Sequence, residues 1–546
     1  MTQGTAAAPA RFFGAVWVDL ARQMRWSFLP PLMVYFAAGV SGLSGVVGTF
    51  FVKDYLSLSA AFLAGLSFWV GIPWALKMPV GHLVDLIWRW KNLLVYLGAG
   101  LIAVSIAIMY GLIAHTAQMR AVMPVEAWYV LSALLSPIGY VIQDAVADAM
   151  TVEAVPTTDA QGKPLPEALV KAQHTTMQTL GRVAIIGGLV IVAGLNIFMF
   201  AGIEAMDTAA KTVVYARIYL LCLAVPVVSV LGVILNGILL ANRARALRRA
   251  GMGRAEVDRL VYQPGEATTP NWWILGGALV FACFTLGIGL TGIGFAQELV
   301  FLGSLAIILF LMQRLIRELP EARARALVGT AVIVFVFRAM PLPGPGASWF
   351  QIDTLGFDER FIAILGFISS LLTLVGMILL RPLIASRSIA WITAALSVAA
   401  GVLALPSIGL YYGIHHWTAA ATGGIVDARF IAIIDTAMES PLGQVAMIPM
   451  LAWIAKNAPA HLKATFFAVM ASFTNLALSA SALGTKYLNH VFLVTREVKD
   501  RASGQVTVPA DYSELGILLI TVAALTVAVP LLAILVVQHT RLRTSE

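Results

Sequence analysis

Few residues in this chain are equipped for chemistry, and most of those that are stand in or beside apolar runs. Asp144 and Asp148 lie four apart in Gln143-Asp144-Ala-Val-Ala-Asp148-Ala-Met-Thr-Val-Glu153, so on a helix they share one face. Asp435 and Glu439 repeat that spacing in the second half. A carboxylate at bilayer depth is costly unless it is paired or hydrated, and it marks a functional site. Arg182, ~9 Å into its own apolar run by helical rise, is the expected partner of the first two acids. The group then reads either as a structural ion pair near the inner rim or as a proton or substrate site. Asp435 and Glu439 lie ~10–16 Å into their run and Arg338 ~16 Å into another, all near the midplane. Two acids and an arginine at the depth where secondary transporters hold solutes form the sharpest constellation, with a buried structural pair as the alternative. Gln444 and Asn475 add neutral hydrogen-bonding capacity there, or simply join helices.

Other chemistries find no support. Cys222 and Cys283 both sit in apolar runs without partners at metal spacing, so no disulfide framework, zinc site or redox pair is expected. Gly287-Ile-Gly289-Leu-Thr-Gly292 spells a dinucleotide fingerprint inside an apolar span, without the strand–turn–helix context that gives it meaning. His415-His416 has no further ligands nearby. No nucleophile–base pattern stands out, so the chain does not read as an enzyme, and no metal or cofactor is expected.

The elements that must position these residues are membrane spans. Of 546 residues, 60% are hydrophobic and 12% charged, far from the balance of a soluble domain. The polar stretches are too short for an independent catalytic domain. Apolar runs of span length number about fourteen: six between 28 and 241, two at 272–292 and 296–313, and six between 327 and 537. The middle two hold one acid, Glu298, and read as a passive spacer. Two thirds of the lysines and arginines fall in alternate loops, which puts both termini in the cytoplasm and makes the spans even in number. The first apolar run is too long for a cleaved signal and reads as a retained span. The net charge of +8 is mostly this orientation signal. Arg243, Arg245, Arg248, Arg249, Arg254 and Arg259 form a basic linker expected to lie on anionic lipid rather than on nucleic acid. Gly39, Gly42, Gly45 and Gly48 in the first span suit close helix packing more than ligand binding.

The segment after the second span reads Lys77-Met-Pro-Val-Gly81-His-Leu-Val-Asp85-Leu-Ile-Trp-Arg89-Trp-Lys91. Gly81 suits a tight turn or close helix approach. Asp85 can bond a neighbouring helix N-terminus or pair with Arg89 or Lys91. A contact that is either made or broken would serve as a cytoplasmic gate; a plain positively charged turn is the alternative. The Gly81…Asp85 spacing with following basic residues resembles the signature loop of the major facilitator superfamily.

Several blocks together resemble one branch of that superfamily, the folate–biopterin transporters. Pro73-Trp-Ala-Leu-Lys77-Met-Pro-Val-Gly81-His-Leu-Val-Asp85 is similar to its first block, and Asp144…Asp148…Glu153 to its second. Phe337-Arg338-Ala-Met-Pro341 with Leu355-Gly-Phe357, and Pro459…Lys463-Ala-Thr465…Ser472-Phe-Thr-Asn475, are similar to blocks of its second half. Lys463 stands where the family pattern has an acid, and 272–313 adds two helices to the family's usual twelve. The resemblance implies an all-α integral membrane protein in which 1–241 and 327–546 form two six-helix bundles. Residues 242–326 form a basic cytoplasmic linker plus two inserted spans. It also implies a secondary transporter, proton-coupled, that moves folate- or pterin-type solutes across a bacterial inner membrane. A carboxylate at 435 or 439 can accept two hydrogen bonds from a pterin edge, and arginine's planar fork suits folate carboxylates. Two alternatives stay open: a related transporter of a peptide, muropeptide, sugar or drug, and a non-transporting assembly or delivery factor.

Overall fold

The computed structural model describes the chain except residues 1–23, 57, 76, 156–164, 263–269, 271, 291–292, 318, 381–386, 443–462, 500–505 and 544–546. The first half is a run of helices, among them α1 Leu29–Val40, α2 Gly45–Tyr55, α3 Ala60–Ala75, α4 Lys77–Leu86, α5 Lys91–Ala114, α6 Val125–Ala154, α7 Glu167–Met199, α8 Thr208–Cys222 and α9 Ala224–Arg249. The middle holds α10 Arg254–Tyr262, α11 Trp272–Leu290 and α12 Ala296–Ile316. The rest holds α13 Glu321–Arg338, α14 Pro345–Asp353, α15 Glu359–Leu379, α16 Ile389–Tyr411, α17 Ala428–Glu439, α18 Lys463–Val491 and α19 Leu515–Gln538. A two-stranded antiparallel hairpin, Val498–Lys499 with Val506–Val508, sits between α18 and α19. Helix dominates because a segment in hydrocarbon must satisfy its own backbone groups.

Among the described residues, ten helices are long and apolar enough to cross a membrane, and Leu275–Gly289 is a shorter apolar one. The runs expected at 327–340 and 464–488 lie in α13 and α18, which are helical although outside that ten. The run at 429–455 is described only through Leu442, and Gln444 lies outside the described residues.

Small residues set how closely the helices approach. A Cβ on Gly39 of α1 would collide with the Ile185 carbonyl of α7, so only glycine fits that crossing. Gly98 of α5 and Gly139 of α6 meet in a similar way, where a Cβ on either would lie 2.6 Å from the other's carbonyl oxygen. The packing role read for the first-span glycines holds for Gly39 and for Gly42, which faces Leu189, while Gly45 faces open space. Several later helices open on a polar cap: Asp207, Asp358, Ser388 and Asp427 each accept from the amide three residues on.

Two seams join the first-half helices to those after residue 327: α3 packs on α18, and α7 packs on α15. Helices α11 and α12 lie beside the first seam. Phe281 and Val300 share a buried cluster with Phe68, Ile72 and Leu483. Gln297 Nε2 donates to the Gly65 carbonyl at 3.1 Å, and Glu298 takes Lys486 at 3.0 Å and the Tyr487 hydroxyl at 2.5 Å. The inserted pair is thus anchored to both sides of the seam by polar bonds, which is more than a passive spacer requires.

Candidate functional site

Asp144 and Asp148 do share one face of α6, and a cation does sit on them, but it is Lys77. Its ammonium pairs with Asp144 and lies 2.9 Å from Asp148. The Tyr35 hydroxyl of α1 donates to Asp148 as well. Arg182, expected as the partner, is largely exposed on α7 and acts on Asp144 through charge at longer range. Lys77 wins because it stands on α4, and α4 packs along α6. Four elements therefore converge: α1 gives Tyr35, α4 gives Lys77, α6 gives both acids, and α7 brings Arg182. Lys77 is about a quarter exposed, Asp144 less and Asp148 nearly half. One ammonium facing two carboxylates can release one acid to a proton without losing its own counter-charge.

The Gly81 segment departs from expectation. Residues 77–86 are helical, Gly81 has no positive φ, and a Cβ there would meet nothing within 4 Å. Gly81 therefore makes neither a tight turn nor a close approach. Asp85 is half-buried, and Lys91 does not pair with it. Lys91 turns instead to Glu153 at 2.9 Å, both side chains under a tenth exposed, while Asn236 donates to the other Glu153 oxygen at 2.8 Å. Lys91 also lies 4.3 Å over the Trp88 ring, and Arg89 is exposed beside Trp90. This pair ties the start of α5 and the end of α6 to α9 rather than forming a gate with Asp85.

In the second half, Asp435 accepts from Ser407 Oγ of α16 at 3.0 Å, and its other oxygen is buried without a partner among the described residues. Arg338 likewise has a buried Nη1 without a hydrogen bond among them. No ion pair among the described residues joins Arg338 to Asp435 or to Glu439, which is exposed. The constellation is thus a set of separate polar groups instead of a closed pair. Buried polar atoms left open in this way are what a solute would satisfy. Asn475 donates to the Trp74 carbonyl at 3.2 Å across the α3–α18 seam, so it joins helices.

A further cluster escaped sequence reasoning. Two ion pairs among the described residues link the first-half helices to those after residue 327, and both lie at the predicted outer end. Lys53 of α2 meets Asp353 of α14 at 2.6 Å, where the Tyr512 hydroxyl also donates at 2.6 Å. Lys211 and Tyr215 of α8 meet Glu359 of α15 at 3.3 and 2.5 Å, and Glu359 is 1% exposed. Beside it, Asp358 caps α15 and takes Arg429 at 2.8 Å. Burial alone would push the Asp358 carboxyl up, but the Phe361 amide, the Glu204 side chain and Arg429 hold it below the usual range. The only signal for Glu359 was an acid opening a span, which reads as ordinary helix polarity.

Apolar helices of membrane-spanning length, joined at two seams with ionisable groups between them and ion pairs across one end, make this an all-α integral membrane protein. The backbone is similar to solved structures of POT family transporters. A POT family transporter in complex with 5-aminolevulinic acid is similar over 93% of this chain and 95% of its own, with TM-score 0.59 and 13% identity. A POT family transporter bound to a thioalcohol-conjugated peptide is similar over 94% and 96%, with TM-score 0.59 and 13% identity. The peptide transporter POT in complex with sulfate is similar over 95% of each chain, with TM-score 0.56 and 16% identity. At these identities the likeness is one of fold. The family model of the BT1 family matches residues 38–545, so this chain belongs to the BT1 family. A folate-biopterin transporter of Synechocystis sp. is 24% identical over 155 residues, a match spanning 28% of this chain and 30% of that relative's length.

Proposed function

We propose that this chain is a proton-coupled secondary transporter that moves folate- or pterin-type solutes by alternating access. Residues 1–241 and 327–546 rock as two bundles about the α3–α18 and α7–α15 seams, with both termini in the cytoplasm of a bacterial inner membrane. The observation that carries this reading is Lys77 set between Asp144 and Asp148 in the first bundle. A proton on one acid frees the lysine to the other, which changes how α4 and α6 hold each other. The open polar atoms of Arg338 and Asp435 support a solute site in the second bundle. There the arginine would take a carboxylate and the acids an amino-pyrimidinone edge. The partial match to a folate-biopterin transporter favours that solute class.

The whole-length structural likeness to peptide transporters supports a second reading, in which the same site takes a short peptide. Ligand-protected unfolding separates the two. A solute at a hundredfold excess over its dissociation constant stabilises the folded state by about 2.7 kcal/mol. Folate or biopterin should therefore raise the unfolding midpoint of the purified chain while di- and tripeptides leave it unchanged. A shift with peptides alone would replace the first reading by the second. No shift with any solute, together with a stable co-purifying partner, would favour an assembly factor.

A further inference from the structure

The basic stretch between the bundles plays no part in that mechanism, yet its placement is specific. The exposed apolar residues of α9, Val227, Leu231, Ile234 and Ile238, recur at steps of four, three and four and so form one stripe along the helix. Two turns beyond Ile238 the same stripe reaches Arg245, and one further turn reaches Arg249, both exposed. The exposed apolar face therefore runs directly into two guanidinium groups. On the other side the chain reverses at Gly251, with φ +94°, and α10 folds back. Val257 and Val261 bury against Ala244 and Leu247, so α10 covers the inner side of these turns. Arg248 reaches Asp258 at 3.5 Å, whereas Arg245 and Arg249 have no ion pair among the described residues. The next apolar helix opens on Trp272, 75% exposed, a residue type that sits at headgroup level.

We infer that Arg245 and Arg249 bind the phosphate headgroup of an anionic phospholipid whose acyl chains lie along Leu231, Ile234 and Ile238. Planar guanidinium forks match phosphate oxygens, and the apolar stripe holds the lipid in register with them. Each basic residue near a charged membrane surface contributes roughly a fivefold preference for anionic lipid.

The test titrates the unfolding midpoint of the purified full chain in mild detergent with phosphatidylglycerol and, separately, with phosphatidylcholine of the same acyl chains. Phosphatidylglycerol should stabilise at lower concentration. R245Q/R249Q should raise its half-effect concentration about tenfold or more. The phosphatidylcholine curve and the lipid-free midpoint should not move, and R245K/R249K should keep most of the response. Equal responses of the unaltered chain to the two lipids would overturn the proposal, as would an unchanged phosphatidylglycerol response in R245Q/R249Q. Inorganic phosphate and a short duplex RNA serve as further arms. A shift from either at the concentration at which phosphatidylglycerol acts would assign the site to a free anion or to nucleic acid and equally overturn it. If R245Q/R249Q fails to fold, the single variant R249Q carries the same comparison.

Discussion

Lys77→Met should reduce uptake at least a hundredfold while the protein still reaches the membrane. The substitution leaves Asp144 and Asp148 one helical turn apart, opposed among the described residues by the Tyr35 hydroxyl and the distant charge of Arg182. Stripping one member from a buried ion pair costs about 3–5 kcal/mol, and the half-exposed Asp148 places this site below that range. The acids answer by binding protons, because a neutral carboxyl needs no counter-charge. Proton binding then no longer depends on the position of the lysine, and the coupling is lost. A second variant separates coupling from structural support. Lys77→Met combined with Asp144→Asn removes opposite charges together, a change that is often neutral for stability. If the cluster served only to hold α4 on α6, the double variant would recover uptake. If it carries the coupling proton, the double variant regains protein abundance and remains inactive. Uptake and membrane abundance, measured side by side on the same cells, decide between the two.

The outer ion pairs should behave as a latch. Helices α2 and α8 are tied to α14 and α15 through Lys53–Asp353 and Lys211–Glu359, and the proposed rocking to an outward-open form would require both to part. Covalent closure should therefore stop turnover. With exposed Cys283 changed to serine and buried Cys222 left in place, Lys53→Cys and Asp353→Cys give two thiols for a short cleavable cross-linker. Cross-linking should lower uptake more than tenfold, and reduction of the linker should restore it. Uptake that persists with the linker in place would show that this end need not open. Glu359→Gln should have the opposite structural effect. It removes the charge that Lys211 and Tyr215 hold in a site 1% exposed. In a Cys283→Ser background carrying Asp353→Cys alone, it should increase labelling of the introduced thiol by a water-soluble maleimide.

Much of this architecture is legible in the residues alone, for physical reasons that also explain the failures. Hydrocarbon admits helices and excludes most charge, so apolar run length reads out the all-α membrane fold. The four-residue spacing of Asp144 and Asp148 and the packing role of Gly39 depend only on helical geometry and survive intact. Partner choice does not, because spacing within a helix says nothing about its rotation against a neighbour. Arg182 lies at a plausible depth, but α4 turns Lys77 onto the acids first. In the same way Lys91 passes over Asp85, six residues away, and pairs with Glu153 across the bundle. Tyr35 and Glu359 carry no local signal of their roles, since each acquires its role only from a residue more than a hundred positions distant. The segment around Gly81 read as a turn because glycine permits one, although nothing there requires it.

The central claim is proton-coupled movement of a folate- or pterin-type solute, and accumulation of labelled folate and biopterin in cells expressing this chain tests it most directly. Accumulation should exceed that of empty-vector cells and fall to their level when a protonophore collapses the gradient. Uptake that ignores the protonophore would contradict the coupling. No uptake of either compound, with the protein present in the membrane, would contradict the solute assignment.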